Sequence, residues 1–216
     1  MKNSPGLRSE FFSAHDKLLG QWHEADFFDV KYDESQKSLE LFLKIAARTP
    51  VLESVNHRIA NLYMETGNYE KAVPYRRKEL ELAQAEGGDN LSATYSFLAE
   101  SLLFTDLLEA VKMAEMALKV STEEGVFWSE GVLNKLSTLE KRIDAGEPLA
   151  AYLEILNGEY IINIGLPNYS EKIALIDLAL DQYSPGISGE EKALINLRQE
   201  LKNQMQADSQ EQLASD

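Results

Sequence analysis

Apolar residues recur at intervals of three and four along most of this chain, and strict alternation of apolar and polar residues is nearly absent. Leu39, Phe42, Leu43 and Ala46 show the spacing. This period places apolar side chains on one face of an α-helix. The pattern therefore predicts an all-α protein of ten helices joined by short polar turns. The predicted helices cover residues 7–24, 33–48, 52–66, 69–86, 90–104, 107–122, 126–143, 148–163, 170–183 and 189–205.

Polar residues suited to capping stand at several predicted helix starts. In a capping box, a short polar residue is followed three positions later by Glu or Gln, and the two satisfy free backbone N–H groups. Three pairs have this spacing: Asp33 and Gln36, Asp106 and Glu109, and Ser188 and Glu191. Pro148 is suited to a first helical turn, because its missing N–H is not needed there.

The stretch "NLYMETGNYEKAV", residues 61–73, predicts one helix that ends and another that starts at once. Gly67 can adopt the left-handed conformation that ends helices, and Asn68 can cap the next helix. Ala60 and Ala72 have small side chains, which lets the two helices approach closely. Gly67 is therefore interpreted as a turn residue and not as part of a chemical site.

A second copy of this hairpin follows 38 residues later. At that offset Ala72 aligns with Ala110, and Val73 aligns with Val111. A weaker copy precedes the first at an offset of 34 residues, where Ser38 aligns with Ala72. The four additional residues correspond to about one helical turn, so they lengthen a helix without rotating its apolar face. Such periodicity is typical of stacked helical repeats.

These residues resemble a tetratricopeptide repeat, a helix pair of about 34 residues with small and aromatic residues at fixed positions. In the middle copy Ile59, Ala60 and Tyr63 occupy the first-helix positions, and residues 67–69 form the turn. Arg76 stands where the family has an aromatic residue. The resemblance covers residues 19–122 and implies a right-handed α-α superhelix, a short solenoid of antiparallel helix pairs.

The resemblance also implies a groove that binds a peptide or helix of another protein. In this family the first helix of each pair lines the concave side, and four of its positions point into the groove. Those positions hold Ser54, His57, Asn61 and Met64 in the middle copy and Ser92, Tyr95, Ala99 and Leu102 in the next. His57 and Asn61 lie one turn apart, but no lysine accompanies them, so a clamp for a C-terminal carboxylate is incomplete. A competing interpretation buries Tyr95 and Leu102 under residues 126–206.

The repeat pattern fades after Val120. Residues 1–122 are expected to form the repeats and residues 123–206 a helical C-terminal extension, which either continues the solenoid in degenerate form or folds back over it. Within this extension "YIINI", residues 160–164, is equally consistent with a short strand. The polar residues 207–216 are expected to be a flexible tail.

The formal net charge of −15 disfavours binding to nucleic-acid phosphates or to an anionic membrane surface. Residues 144–216 carry much of it, with 13 Asp and Glu against 4 Lys and Arg. The chain has no cysteine, which removes disulfides and thiolate metal sites. No segment approaches the ~20 apolar residues that span a bilayer. We therefore expect a cytoplasmic protein, for which homo-oligomer formation is possible.

No motif for catalysis, metal binding or a cofactor was identified. The histidines are His15, His23 and His57, and they lack the spacing of metal ligands. The stretch "WHEADFFD", residues 22–29, gathers one histidine and three acids and is expected to be a solvated helix end.

The basic stretch "RRK", residues 76–78, is interpreted as an ordinary salt-bridged surface and not as an anion site. Arg76 can pair there with Glu79 or with the acids flanking Leu80, one turn away. The leading hypothesis is a non-enzymatic module that binds a peptide or helix of another protein in the groove. The alternative is an acidic regulatory protein that sequesters a basic protein or senses a small effector. Salt dependence of binding distinguishes the two, because electrostatic association slows as ionic strength rises.

Overall fold

A computed structural model describes residues 20–22, 25, 35–48, 53–87, 91–123, 130–157, 169–184, 186 and 188–215. All the long elements in these ranges are helices, which confirms the all-α fold class. They are α1 (Ser35–Arg48), α2 (Glu53–Glu65), α3 (Tyr69–Glu86), α4 (Leu91–Leu102), α5 (Leu107–Glu123), α6 (Glu130–Asp144), α7 (Pro148–Asn157), α8 (Tyr169–Tyr183) and α9 (Gly189–Ser215). The handedness of the predicted superhelix stays a prediction.

Several sequence predictions fall outside the described residues. They are the cap at Asp33, the possible strand at 160–164, the acids of residues 24–29 and most of the predicted helix 7–24. One helix is longer than predicted, because α9 continues to Ser215 instead of ending at residue 205. The polar stretch after residue 205 contains no Gly or Pro and is rich in Gln, Glu and Ala, which favour or tolerate helix.

The chain divides into two compact units, Met1–Asp89 and Asn90–Asp216. The boundary predicted after residue 122 lies inside the second unit, in the last turn of α5. In the first unit α1 packs on α2, and α2 packs on α3. The core residues that these helices share include Leu39, Phe42 and Ile45 of α1 and Val55, Ile59 and Leu62 of α2. The ring of Trp22 meets Phe42 edge-on, with centroids 5.1 Å apart.

The turn between α2 and α3 ends one helix and restarts the next without a linker. Gly67 has φ of 70°, and its N–H donates to the Met64 carbonyl at 3.0 Å. The Asn68 N–H donates to the Tyr63 carbonyl at 2.8 Å. This pair of bonds is the Schellman motif, which needs a residue that accepts positive φ. The predicted role of Gly67 is confirmed.

The role predicted for the Asn68 side chain is wrong. No side-chain bond from Asn68 caps α3. Its Nδ2 instead donates back to the Thr66 carbonyl and hydroxyl, at 3.2 and 3.1 Å. The Asn68 carbonyl accepts the N–H of Lys71 at 2.9 Å and so begins the helix. The side chain therefore bonds as a donor to the preceding turn, and its oxygen does not accept an N–H of α3.

In the second unit α4 packs along α5, α5 on α6, α6 on α7, and α8 and α9 pack on each other and on α7. The predicted caps are present in two places. Asp106 Oδ1 accepts the Glu109 N–H at 2.9 Å, and Ser188 Oγ accepts the Glu191 N–H at 3.1 Å. Of the described helices, none combines the length and the apolar character that crossing a bilayer requires.

Candidate functional site

Four polar side chains from α2 and α3 meet inside the first unit: His57, Asn61, Arg76 and Glu79. We call them the polar cluster. His57 and Asn61 are four residues apart on α2, and Arg76 and Glu79 are three apart on α3, so each pair shares a helix face. Fully buried Ala60 and Ala72 stand in the same two helices. Because α2 and α3 pack directly on each other, the two pairs face one another.

The cluster is buried at its base and accessible at its rim. The side chains of Arg76 and Glu79 are only 2% and 3% exposed, whereas that of His57 is 29% exposed. Arg76 Nη1 donates to Glu79 Oε2 at 2.9 Å. Arg76 Nη2 donates to Asn61 Oδ1. The Arg76 guanidinium therefore donates both to the Glu79 carboxylate and to the Asn61 amide oxygen.

The orientation of the Asn61 amide follows from its neighbours. A guanidinium can only donate, so the atom facing Arg76 Nη2 must be the Asn61 oxygen. The Asn61 nitrogen then faces His57 Nε2 at 3.1 Å and donates to it. This nitrogen of the imidazole consequently carries no hydrogen.

The tautomer of His57 follows in turn. Its Nδ1 lies 2.8 Å from Glu79 Oε1 and 2.9 Å from Arg76 Nη1. A carboxylate accepts and a guanidinium donates, so one Nδ1 atom cannot bond to both. With Nε2 used as an acceptor, a neutral ring has its hydrogen on Nδ1 and donates it to Glu79. The network therefore runs from Arg76 to Asn61, to His57, to Glu79, and back to Arg76.

The polar cluster corrects the prediction for the basic stretch. Pairing of Arg76 with Glu79 is present as expected, but the pair is buried and not on the surface. Spacing of three residues brings two side chains together on a helix equally well in water and in a core. The signal that could have identified the burial is the repeat position itself. Arg76 occupies the place of an aromatic residue, which such a hairpin buries.

The eight predicted groove residues divide into accessible and buried sets. Ser54 is exposed, and His57 and Asn61 are half-buried. Ser92 is half-buried, and its hydroxyl donates to the Ala117 carbonyl at 2.9 Å. The other four are buried: Met64 (7% exposed), Tyr95 (8%), Ala99 (0%) and Leu102 (1%).

These four side chains do not line an open groove in this structure. The competing interpretation predicts burial of Tyr95 and Leu102. Position in the repeat indicates the face on which a side chain lies, but it does not say whether that face stays open. Burial stabilises apolar side chains by about 25 cal/mol for each Å² removed from water. Packing therefore favours burial of these side chains and does not favour burial of a polar side chain such as Ser54.

A second concavity, which sequence reasoning missed, lies within the second unit. Successive helical hairpins bring the α4–α5, α6–α7 and α8–α9 turns to one end. Two adjoining cavities of about 270 and 540 Å³ open there and share Gly146, Pro148 and Tyr183. We call them together the turn cleft. It draws residues from three separate turns, so no local motif in the sequence marks it.

Gly146 shapes this cleft. It has φ of 81°, its N–H donates to the Ile143 carbonyl at 3.0 Å, and the Glu147 N–H donates to the Arg142 carbonyl at 2.8 Å. The α6–α7 turn is therefore a Schellman motif like that at Gly67. A Cβ on Gly146 would meet no atom within 4 Å, so the glycine is needed for its backbone conformation and not for space.

Comparison with known proteins supports the repeat architecture. The model of the tetratricopeptide repeat family matches residues 51–123, which contain α2 to α5 and hence the polar cluster. Repeats of this family generally mediate interactions between proteins and are typically non-enzymatic. No curated protein and no solved structure gave a match. Residues 51–123 are therefore similar to tetratricopeptide repeats.

Proposed function

We propose that this chain is a protein-interaction module whose first unit binds a segment of another protein along the accessible face of α2, at Ser54, His57 and Asn61. These are the predicted groove residues of that unit that keep contact with solvent. The proposal is supported by the family match and by the polar cluster, which holds two of the three residues in fixed orientations.

The observation that carries the proposal is the state of Asn61. Its oxygen accepts from Arg76, and one hydrogen of its Nδ2 is donated to His57. The second Nδ2 hydrogen has no acceptor among the described residues. A side-chain amide held by a buried ion pair, with one donor left at a half-buried site, can bind a backbone carbonyl of an extended peptide. Because the amide is already ordered, binding costs less conformational entropy.

The charge of the polar cluster indicates what kind of segment fits. Arg76 and Glu79 compensate each other, and the His57 ring is neutral in the hydrogen-bonding scheme above. The accessible rim is therefore polar without net charge. It suits peptide groups or uncharged polar side chains, and it offers no free cation for a C-terminal carboxylate or a phosphate.

The proposal is tested by selecting peptides from a random library displayed on phage against the full chain. The affinity of a selected peptide is then measured by calorimetry for the wild type and for Ser54→Trp and Asn61→Ala. Ser54 is exposed, so the bulky tryptophan obstructs the α2 face while leaving the fold intact. We expect each variant to weaken binding by roughly tenfold or more, as for the loss of an interface hot spot.

Gln84→Ala is the matched control for Asn61→Ala, because it removes an exposed amide from the same unit. It should leave the affinity unchanged. Melting temperatures of all variants separate loss of binding from loss of folding, since Asn61 also supports Arg76. Selected peptides that bind Ser54→Trp as tightly as the wild type would show that the α2 face is not the binding surface.

A further inference from the structure

One wall of the turn cleft is formed by an aromatic side chain that is accessible to solvent. Tyr183, at the end of α8, is 37% exposed and borders both cavities. Its ring lies 6.0 Å from that of buried Tyr152. The Tyr152 hydroxyl in turn donates to the Leu103 carbonyl at 3.2 Å. The Tyr183 ring therefore packs on a residue that a hydrogen bond holds in place, and it borders the cleft.

Carboxylates line the same two cavities as Tyr183. Glu147 and Glu190 line the smaller cavity, and Asp106 lines the larger one. Arg142 is the one cation lining either cavity among the described residues, and several carboxylates share its charge. Its Nη1 lies 3.8 Å from Glu147 Oε2, and its Nε lies 3.5 Å from Glu154 Oε2. Asp106 and Glu190 thus give the cleft an excess of negative charge.

Glu190 is ionised where it lines the smaller cavity. Hydrogen bonds from its own backbone N–H and from the Ser188 hydroxyl, with the nearby Arg142 charge, lower its pKa below the ordinary value. Pro148, Leu107 and Ile143 supply apolar lining. The cleft therefore combines apolar walls, an exposed aromatic face and carboxylates at the rim.

We propose that the turn cleft binds an arginine side chain presented by another protein. A guanidinium stacks on a tyrosine face and donates in a fork to carboxylates, while the methylene stem packs on the apolar walls. The two cavity volumes are comparable to those of pockets that bind small ligands, about 300–1,000 Å³. This inference concerns the second unit and does not rest on the proposed binding face of α2.

Presentation by a protein, and not as the free amino acid, follows from the same charges. Free arginine carries a carboxylate that the acidic rim repels, whereas an arginine within a chain does not. The net charge of residues 144–216, with 13 Asp and Glu against 4 Lys and Arg, also favours approach of a basic segment.

The test is an NMR titration of the full-length ¹⁵N-labelled protein with the capped peptide acetyl-Ala-Ala-Arg-Ala-Ala-amide. Two comparison ligands are the same peptide with citrulline, a neutral isostere of arginine, and free L-arginine. We expect saturable shifts at the amide signals of Gly146 and Tyr183 with the arginine peptide. Affinity should be lower for the citrulline peptide and for free arginine.

Two variants locate the site. Glu190→Gln should weaken binding of the arginine peptide about two- to five-fold, as for the loss of one exposed ion pair. Glu200→Gln removes the same charge from an exposed position of the same helix and should leave binding unchanged. Equal weakening by both variants, shifts spread over the acidic surface, or equal binding of the citrulline peptide would overturn the proposal. Absence of saturable shifts at Gly146 and Tyr183 would overturn it as well.

Discussion

Arg76 Nη1 donates to Glu79 Oε2 at 2.9 Å, and neither side chain is more than 3% exposed. A buried ion pair is retained only when its geometry and further hydrogen bonds offset the cost of removing both charges from water. Here the further bonds come from Asn61 and His57, whose own side chains are half-buried. The same hydrogen bonds therefore satisfy the buried charges and order the side chains of Asn61 and His57.

Removing one partner of this pair should destabilise the first unit strongly. Arg76→Ala leaves the Glu79 carboxylate buried without its cation, at an expected cost of about 3–5 kcal/mol. Urea unfolding followed by circular dichroism measures the loss. Arg77→Ala removes the neighbouring arginine, which is exposed, and should change stability by less than about 0.5 kcal/mol. Similar losses for the two variants would contradict a buried pair.

The hydrogen-bonding scheme fixes a single tautomer for His57. We expect the ring to carry its hydrogen on Nδ1, because Asn61 donates to Nε2 and Glu79 accepts from the other nitrogen. Long-range ¹H–¹⁵N correlation of the labelled protein distinguishes the two tautomers, and His57→Gln assigns the signals. A ring protonated on Nε2 would show that the orientation assigned to Asn61 is incorrect.

Tyr95 should now be regarded as a core residue. Tyr95→Ala removes a side chain that is 8% exposed, and we expect a loss of about 3 kcal/mol or more, typical of an aromatic residue truncated in a core. Thermal melting measures it. Lys112→Ala, at an exposed position of α5, serves as the control. An unchanged melting temperature for Tyr95→Ala would show that this side chain is not part of the core.

Tyr152 should make stability depend on alkaline pH. Burial, followed by the nearby Tyr183 and Asp106, raises its pKa above the ordinary value of 10.0. The unfolded state therefore loses this proton first, so the stability that Tyr152 contributes is complete below about pH 10 and declines above it. Tyr152→Phe also loses the bond to Leu103, at about 1 kcal/mol.

The measurement compares the unfolding free energies of wild type and Tyr152→Phe at about pH 8 and about pH 11, on either side of the ordinary tyrosine pKa. The advantage of the wild type should shrink at the higher pH. A difference that stays constant, or grows, would mean that the Tyr152 hydroxyl is not buried in the folded state.

Local rules were sufficient for much of the fold. The turn at Gly67 and the caps at Asp106 and Ser188 depend on backbone groups only three or four residues away, so the sequence indicated them directly. Asn68 shows the limit of such rules, because its side chain can bond either to the preceding turn or to the N–H groups that begin α3. The extent of α9 differs from the prediction, because a polar composition is compatible with a helix as well as with a flexible tail.

Features built from distant residues could not be predicted in the same way. Spacing paired Arg76 with Glu79, but their burial depends on His57 and Asn61, 15 to 22 residues earlier in the chain. Tyr95 and Leu102 share a helix face with accessible positions, and only packing in three dimensions distinguishes them. The turn cleft draws on three turns, and the spacing between these follows from helix lengths and not from any motif.

The central claim is that a segment of another protein binds the α2 face that the polar cluster orders. It is tested most directly by mapping amide shifts of the ¹⁵N-labelled chain on addition of a library-selected peptide. We predict the largest shifts between Ser54 and Asn61, with the amide signals of Gly146 and Tyr183 unmoved. Saturable binding that leaves the amides of residues 54–61 unchanged would contradict the account.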